Sequence, residues 1–185
     1  REFTKRVLDH WLENYHIDGF RMDLSKGFTQ NNTLGNTGAW GAYDQSRVDI
    51  LNDYYSHIQN TESGSYFILE HFADNSEETA LSNSGMMLWG NVTHGYQESA
   101  MGFPANSNLV GGVYKYRLWN DPHLISYMES HDEERIMYKN ITYGNTNGSQ
   151  NAKNPIKALE RTEGLAVLML TTPGPKMIWQ FGEMG

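Results

Sequence analysis

The chain has no cysteine among its 185 residues, so it has no disulfide, no thiol nucleophile and no thiolate metal site. It has no excess of basic residues either: 14 Lys and Arg stand against 22 Asp and Glu, a formal net charge of -8. That balance argues against nucleic acid and anionic membrane as partners, because both reward basic patches. No apolar run is long enough for a transmembrane helix, so membrane insertion is not expected. The opening residues, Arg1-Glu2-Phe3, do not read as a signal peptide. No internal repeat or low-complexity linker divides the sequence, which reads as one unit long enough for a real core.

Aromatic residues, by contrast, are plentiful: 5 Trp, 11 Tyr and 7 Phe in a polar chain whose loops are rich in Asn, Gly, Ser and Thr. Aromatic faces beside amides and hydroxyls suit polyhydroxylated ligands, whose C–H faces stack on rings. The same residues also pack cores and core rims. Composition does not choose between these uses.

Hydrophobic periodicity predicts alternating helices and strands. Phe3, Val7, Leu8, Trp11, Leu12 and Tyr15 recur at helical spacing. A strand over 19–24 follows, then a polar loop over 25–43. Asp44 is placed to cap a helix that buries Val48, Leu51, Tyr55 and Ile58 and ends near Asn60. Tyr66-Phe67-Ile68-Leu69 is a second strand, 76–82 a short helix and Met86-Met87-Leu88-Trp89 a third strand. A weak helix over 94–101 leads into a mostly irregular segment, 103–121. The fourth strand covers 124–128, with a helical start at 133–138 and a Gly- and Asn-rich loop at 143–151. Asn154 and Pro155 read as cap and first position of a long, mostly buried helix to about Leu170. Pro173-Gly174-Pro175 stops it, and 176–180 is expected as a fifth strand. Such alternation implies an α/β fold with about five parallel strands joined by crossover helices.

The informative regularity lies at the strand ends. In Gly19-Phe20-Arg21-Met22-Asp23, Arg21 and Asp23 sit two apart and point to one side of a strand. A carboxylate held beside a permanent cation is what a nucleophilic carboxylate needs. A structural Arg–Asp pair would look the same, and this stretch alone does not decide. Glu70 ends the second strand, however, and Asp132 follows the fourth. Strands of a parallel sheet point one way, and in a (β/α) barrel their C-terminal ends carry the catalytic residues. Convergent carboxylates with Arg21, His71, His131 and Arg135 nearby suit glycoside hydrolysis. A divalent-metal enzyme on a barrel is the other reading from chemistry alone.

Four segments resemble the α-amylase family of glycoside hydrolases. Gly19-Phe20-Arg21-Met22-Asp23-Leu24-Ser25-Lys26 is similar to its G-F-R-x-D-x-x-K motif on barrel strand four. Phe67-Ile68-Leu69-Glu70 resembles its fifth-strand motif, Ser130-His131-Asp132 its seventh-strand motif, and 173–183 the approach to strand eight. The matches keep the family's order and cover nearly the whole chain. The resemblance implies that residues 1–185 are the C-terminal part of a catalytic (β/α)8, or TIM, barrel, a partial barrel without its first three strands and inserted domain. It implies Asp23 as nucleophile, Glu70 as general acid and base, and Asp132 as transition-state stabiliser. Arg21, Lys26 and His131 would be substrate-binding, with Trp89, Tyr96 and Trp179 structural before they are stacking surfaces.

The activity so implied is retaining hydrolysis of α-1,4-glucosidic bonds in starch-like glucans. A transglycosylase or branching-type relative and a non-catalytic carbohydrate-binding fragment are the alternatives. Two departures stand out. The family commonly has His where this chain has Gly27, a position whose carbonyl binds calcium and whose side chain reaches the sugar. Gly27 keeps only the carbonyl, so calcium stays an option for the whole protein and no cofactor or metal ligand is assigned. The third-strand motif D-x-V-x-N-H is absent. The partner expected is an α-glucan oligo- or polysaccharide, the location outside the cytoplasm by family analogy (extracellular, cell-surface or periplasmic). The isolated piece is expected to be inactive and to self-associate through open sheet edges and bare apolar faces.

Overall fold

The computed structural model describes residues 1–185, apart from the side chain of Gln150. Seven α-helices and four strands alternate along it. They run α1 (Glu2–Tyr15), β1 (Gly19–Met22), α2 (Thr37–Gly41), α3 (Gln45–Thr61), β2 (Tyr66–Leu69), α4 (Asn75–Asn83), β3 (Met87–Gly90), α5 (Thr93–Met101), β4 (Leu124–Ser126), α6 (Ile136–Tyr143) and α7 (Pro155–Thr171). The sheet has four strands in the order β1-β2-β3-β4. β1 pairs parallel with β2 from Gly19↔Tyr66 to Met22↔Leu69, and β2 pairs parallel with β3 at Ile68↔Met87 and Leu69↔Leu88. Helices lie between successive strands, as parallel crossovers require. The fold is therefore α/β.

The expected fifth strand at 176–180 is not formed. Lys176 makes only an isolated parallel bridge to Ser126, with Ser126 N–H donating to Pro175 O and Met177 N–H to Ser126 O. One bridge does not propagate, and the chain turns at Phe181 into a left-handed conformation (φ 65°). The first strand likewise ends at Met22 rather than Leu24, because Leu24 has φ 40° and leaves the extended region.

Contacts divide the chain into two compact units, Arg1–Trp89 with Arg117–His123, and Gly90–Tyr116 with Leu124–Gly185. In the first, Leu51, Ile58, Phe67, Leu69, Leu81 and Leu88 are almost wholly buried. Each such side chain contributes roughly 1.5–3 kcal/mol. α3 starts where its capping residue dictates: the Asp44 carboxylate accepts from the N–H groups of Ser46 and Arg47. α1 is tied to α3 by Lys5 Nζ on Asp53 at 2.7 Å and by Asp9 with His57 at 2.6 Å. Only Leu8 and Leu12 of the α1 stripe are buried, while Phe3 is 80% exposed and Val7, Trp11 and Tyr15 are exposed with it.

The second unit packs Tyr96, Ala100, Ile136 and Met169 together, with Val92, Leu109, Met128 and Leu165 against them. Asn154 caps α7 through the N–H groups of Ile156 and Lys157, and Pro155 takes the first turn. The expectation of a mostly buried α7 is corrected here. Only Ala158, Thr162 and Met169 are buried; Ile156, Leu159, Val167, Leu168 and Leu170 are exposed. The helix is apolar on more sides than it has neighbours.

Candidate active site

In the first unit the ends of β1 and β2 lie side by side, since Met22 pairs with Leu69 and the Glu70 N–H donates to Met22 O at 3.0 Å. The next residue on each strand is an acid, Asp23 on one and Glu70 on the other. Arg21 joins them. Its Nη1 donates to Asp23 Oδ1 at 2.6 Å, and its Nη2 lies 2.8 Å from Glu70 Oε2. The second contact is an ion pair by distance but is not aligned as a hydrogen bond, and the buried Nε has no hydrogen-bond partner. The guanidinium carbon sits 4.8 Å from the ring centroid of Trp89, the residue before the end of β3. One cation is thus held between two carboxylates and an indole face.

The two acids live in different surroundings. The Asp23 side chain is 79% exposed and that of Glu70 only 8%. Glu70 Oε2 also accepts the Leu24 N–H at 3.0 Å, and its carbonyl accepts the Ser25 N–H at 2.8 Å. The turn after Asp23 is therefore fastened to Glu70. An open carboxylate within reach of solvent and a walled one beside it are suited to separate roles, the first meeting a ligand and the second fixed in place beside it.

Lys26 sits on the 3-10 turn Ser25–Gly27. Its ammonium donates to Phe72 O at 3.2 Å and lies 4.4 Å from the Trp40 ring centroid. Gly27 in the same turn brings a carbonyl and no side chain. Among the described residues no three or more His, Asp or Glu side chains gather as a metal-holding group.

The second unit holds the remaining expected residues. Asp132 and His131 follow β4, with His131 Nε2 3.4 Å from Asp132 Oδ1 and both side chains substantially exposed. The Asp132 N–H donates to Ser130 Oγ at 3.2 Å, and the His131 ring lies 5.6 Å from that of Trp179. Glu129, also in this segment, has a structural task. Its Oε2 accepts the Ile136 N–H at the start of α6, and its Oε1 binds Arg135 at 2.7 Å. Tyr96 is buried in the core of this unit and serves packing.

The structure thus brings together Arg21, Asp23 and Glu70 directly, with Lys26 on the same turn, and sets His131 beside Asp132. Sequence reasoning missed a buried ionic group behind the first set. Arg47 and Glu77 are 1% and 0% exposed and paired through Nε–Oε1 at 2.6 Å and Nη2–Oε2 at 2.8 Å. His71 Nε2 is 2.5 Å from the same Glu77 Oε1. A usable signal was present: Arg47 stands beside Val48, Ile50 and Leu51 on the apolar side of its helix, where an unpaired charge would be costly. Comparison with known proteins finds no family model and no curated protein that matches the chain. What the site can do therefore follows from its residues.

Proposed function

We propose that these residues belong to a retaining glycoside hydrolase of the α-amylase type, acting on α-1,4-linked glucans, with the parallel strands forming part of a (β/α)8 barrel. The observation that carries this reading is Arg21 binding an exposed carboxylate, Asp23, and a walled one, Glu70, at adjacent strand ends. Asp23 attacks the anomeric carbon while Glu70 gives its proton to the departing glycosidic oxygen, which breaks the C–O bond and leaves a glycosyl ester on Asp23. Glu70, now ionised, takes a proton from water, and the resulting hydroxide attacks the same carbon and frees Asp23. Two inversions give net retention. Arg21 holds and aims Asp23 through its Nη1, and Asp132 and His131 are assigned to substrate hydroxyls by their motif. The order of the four motifs supports the same substrate class.

The test is release of reducing ends from soluble starch by the whole protein and by its Asp23→Asn variant. A loss of about a thousandfold or more in the variant is expected, the scale on which single members of a catalytic unit act. Undiminished turnover by Asp23→Asn removes Asp23 as nucleophile.

A further inference from the structure

Leu24 is the residue whose N–H reaches Glu70 Oε2, and it does so from a left-handed backbone conformation, φ 40° and ψ 50°. A leucine there is strained and stays only where its surroundings impose it. The exposed Leu24 side chain does not impose it, and Asp23 before it is held by Arg21 of β1. The constraint comes from the next residue. Ser25 is fully buried, its N–H donates to Glu70 O at 2.8 Å, and its hydroxyl lies 3.2 Å from that carbonyl and 2.8 Å from His71 Nδ1. His71 is fully buried too, and its other nitrogen meets Glu77. Glu77 accepts only, so Nε2 carries the proton, and in the neutral ring Nδ1 accepts from the Ser25 hydroxyl. Glu77 is in turn fixed by Arg47 and by the Asp44 N–H at 2.7 Å, and Arg47 Nη1 donates to Lys26 O at 3.0 Å. Both Ser25 and Lys26 are therefore pinned from behind.

We infer that the buried chain Ser25–His71–Glu77–Arg47 is a positioning device for Glu70. It forces the turn that places the Leu24 N–H on one carboxyl oxygen, leaving the other for the glycosidic oxygen. Ser, His and Glu in a row could suggest a nucleophilic triad, but no substrate reaches a hydroxyl that is fully buried. Ser25, His71, Glu77 and Arg47 are positioning residues: they act on the acid, not on the sugar. The inference rests on the reading of Glu70 as acid/base given above.

The experiment has two arms on the whole protein and its Ser25→Ala variant. Crystal structures of both are compared at Leu24 and Glu70. The expected result is that Leu24 leaves the left-handed region and its N–H leaves Glu70. In the second arm kcat/KM is measured on a maltooligosaccharide, whose leaving group needs a proton, and on α-maltosyl fluoride, whose leaving group does not. A displaced acid lowers the first about 10- to 100-fold and the second less than about threefold, within the range that general acid catalysis supplies. A purely stabilising role lowers both alike or neither, and either pattern overturns the inference, as does a variant with Leu24 and Glu70 unmoved. Wild-type protein that turns over neither substrate defeats the glycosidase reading, and the crystallographic arm then decides the positioning by itself. Ser25→Cys, similar in size but a weak hydrogen-bond former, is read in the same two ways should Ser25→Ala not fold.

Discussion

Replacing Arg47 by lysine keeps the charge and removes the fork. The guanidinium has five N–H groups, and each has an acceptor: Glu77 Oε1 at 2.6 Å, Glu77 Oε2 at 2.8 Å, Ala42 O and Trp40 O at 2.9 Å, and Lys26 O at 3.0 Å. An ammonium has three donors on one atom and cannot span these positions. Glu77 keeps His71 and the Asp44 N–H and Lys26 O keeps the Trp40 indole, so a lysine that stays paired with Glu77 leaves two acceptors, Ala42 O and Trp40 O, unpaired in a site that is 1% exposed. Each orphaned buried acceptor costs about 1–3 kcal/mol, so Arg47→Lys is expected to destabilise the first unit by about 2–6 kcal/mol. Arg47→Met, which also strips Glu77 of its cation, is expected to cost at least as much, since breaking a buried ion pair typically costs about 3–5 kcal/mol. In a chain of this length that corresponds to a melting point lower by roughly 2–4 °C for each kcal/mol. Urea unfolding followed by circular dichroism measures it. A loss below about 1 kcal/mol for Arg47→Lys would refute the view that the five bonds hold the turn behind the site.

Two further outcomes follow from the same unit. A methyl group on Gly19 would sit 2.2 Å from Tyr66 O, and Gly19 has φ 153°, so Gly19→Ala must push β1 from β2. A loss of about 1–3 kcal/mol or more is expected by urea unfolding, and an unchanged midpoint contradicts the strand register at that end. Acid should weaken the unit. Burial by itself raises the Asp44 carboxyl, but hydrogen bonds from the side chains of Ser46, Thr29 and Asn31 and from the Arg47 backbone outweigh it and bring it down from 3.8 to about 2. For Glu77, burial is likewise opposed and outweighed, by His71, Arg47 and the Asp44 N–H, and the net shift is downward. A depressed folded value means that the unfolded chain binds more protons, so both contributions are present above pH 4–5 and disappear as the pH falls through the folded values. Asp44 alone accounts for about 2 kcal/mol, lost between roughly pH 4 and 2. Glu78 acts the other way: burial raises it, only partly offset by Arg117 and His71, so its contribution is complete below its unfolded value and fades as pH rises. Unfolding midpoints measured across pH 2–6 should fall on the acid side, less steeply in Asp44→Asn, and equal slopes in the two proteins would contradict the assignment.

Much of this molecule was legible before its structure. The second and third strands were placed to within a residue, and the Asp44 and Asn154 caps were named because polar residues before apolar helical stripes leave few other uses. The strand-end acids were visible for the same reason, a charge being out of place at the end of an apolar run. What failed was burial. α7 carries apolar residues at helical spacing, yet spacing says which residues share a face and not whether a neighbour covers it. The strand at 176–180 failed because a strand exists only by pairing, and here only Lys176 has a partner.

Which residues pair in the buried chain behind Glu70 was illegible for a third reason. Glu77 and Glu78 look like ordinary first-turn acids of α4, favourable to a helix start wherever they point. Arg47 lies 30 residues away in sequence, and only the fold makes them partners. His71 was noticed as a neighbour of the acid, but its two bonds, to Ser25 and Glu77, depend on which way its ring faces.

On the proposed mechanism Asp23 bonds covalently to the sugar. The direct measurement is to incubate the whole protein with a slowly reacting fluorinated α-glucosyl fluoride, digest it and locate the added mass by tandem mass spectrometry. One glycosyl adduct is expected, on the carboxylate of Asp23, that forms in wild type and is absent from Asp23→Asn. An adduct on another residue, or starch hydrolysis by a protein that never forms one, would contradict it.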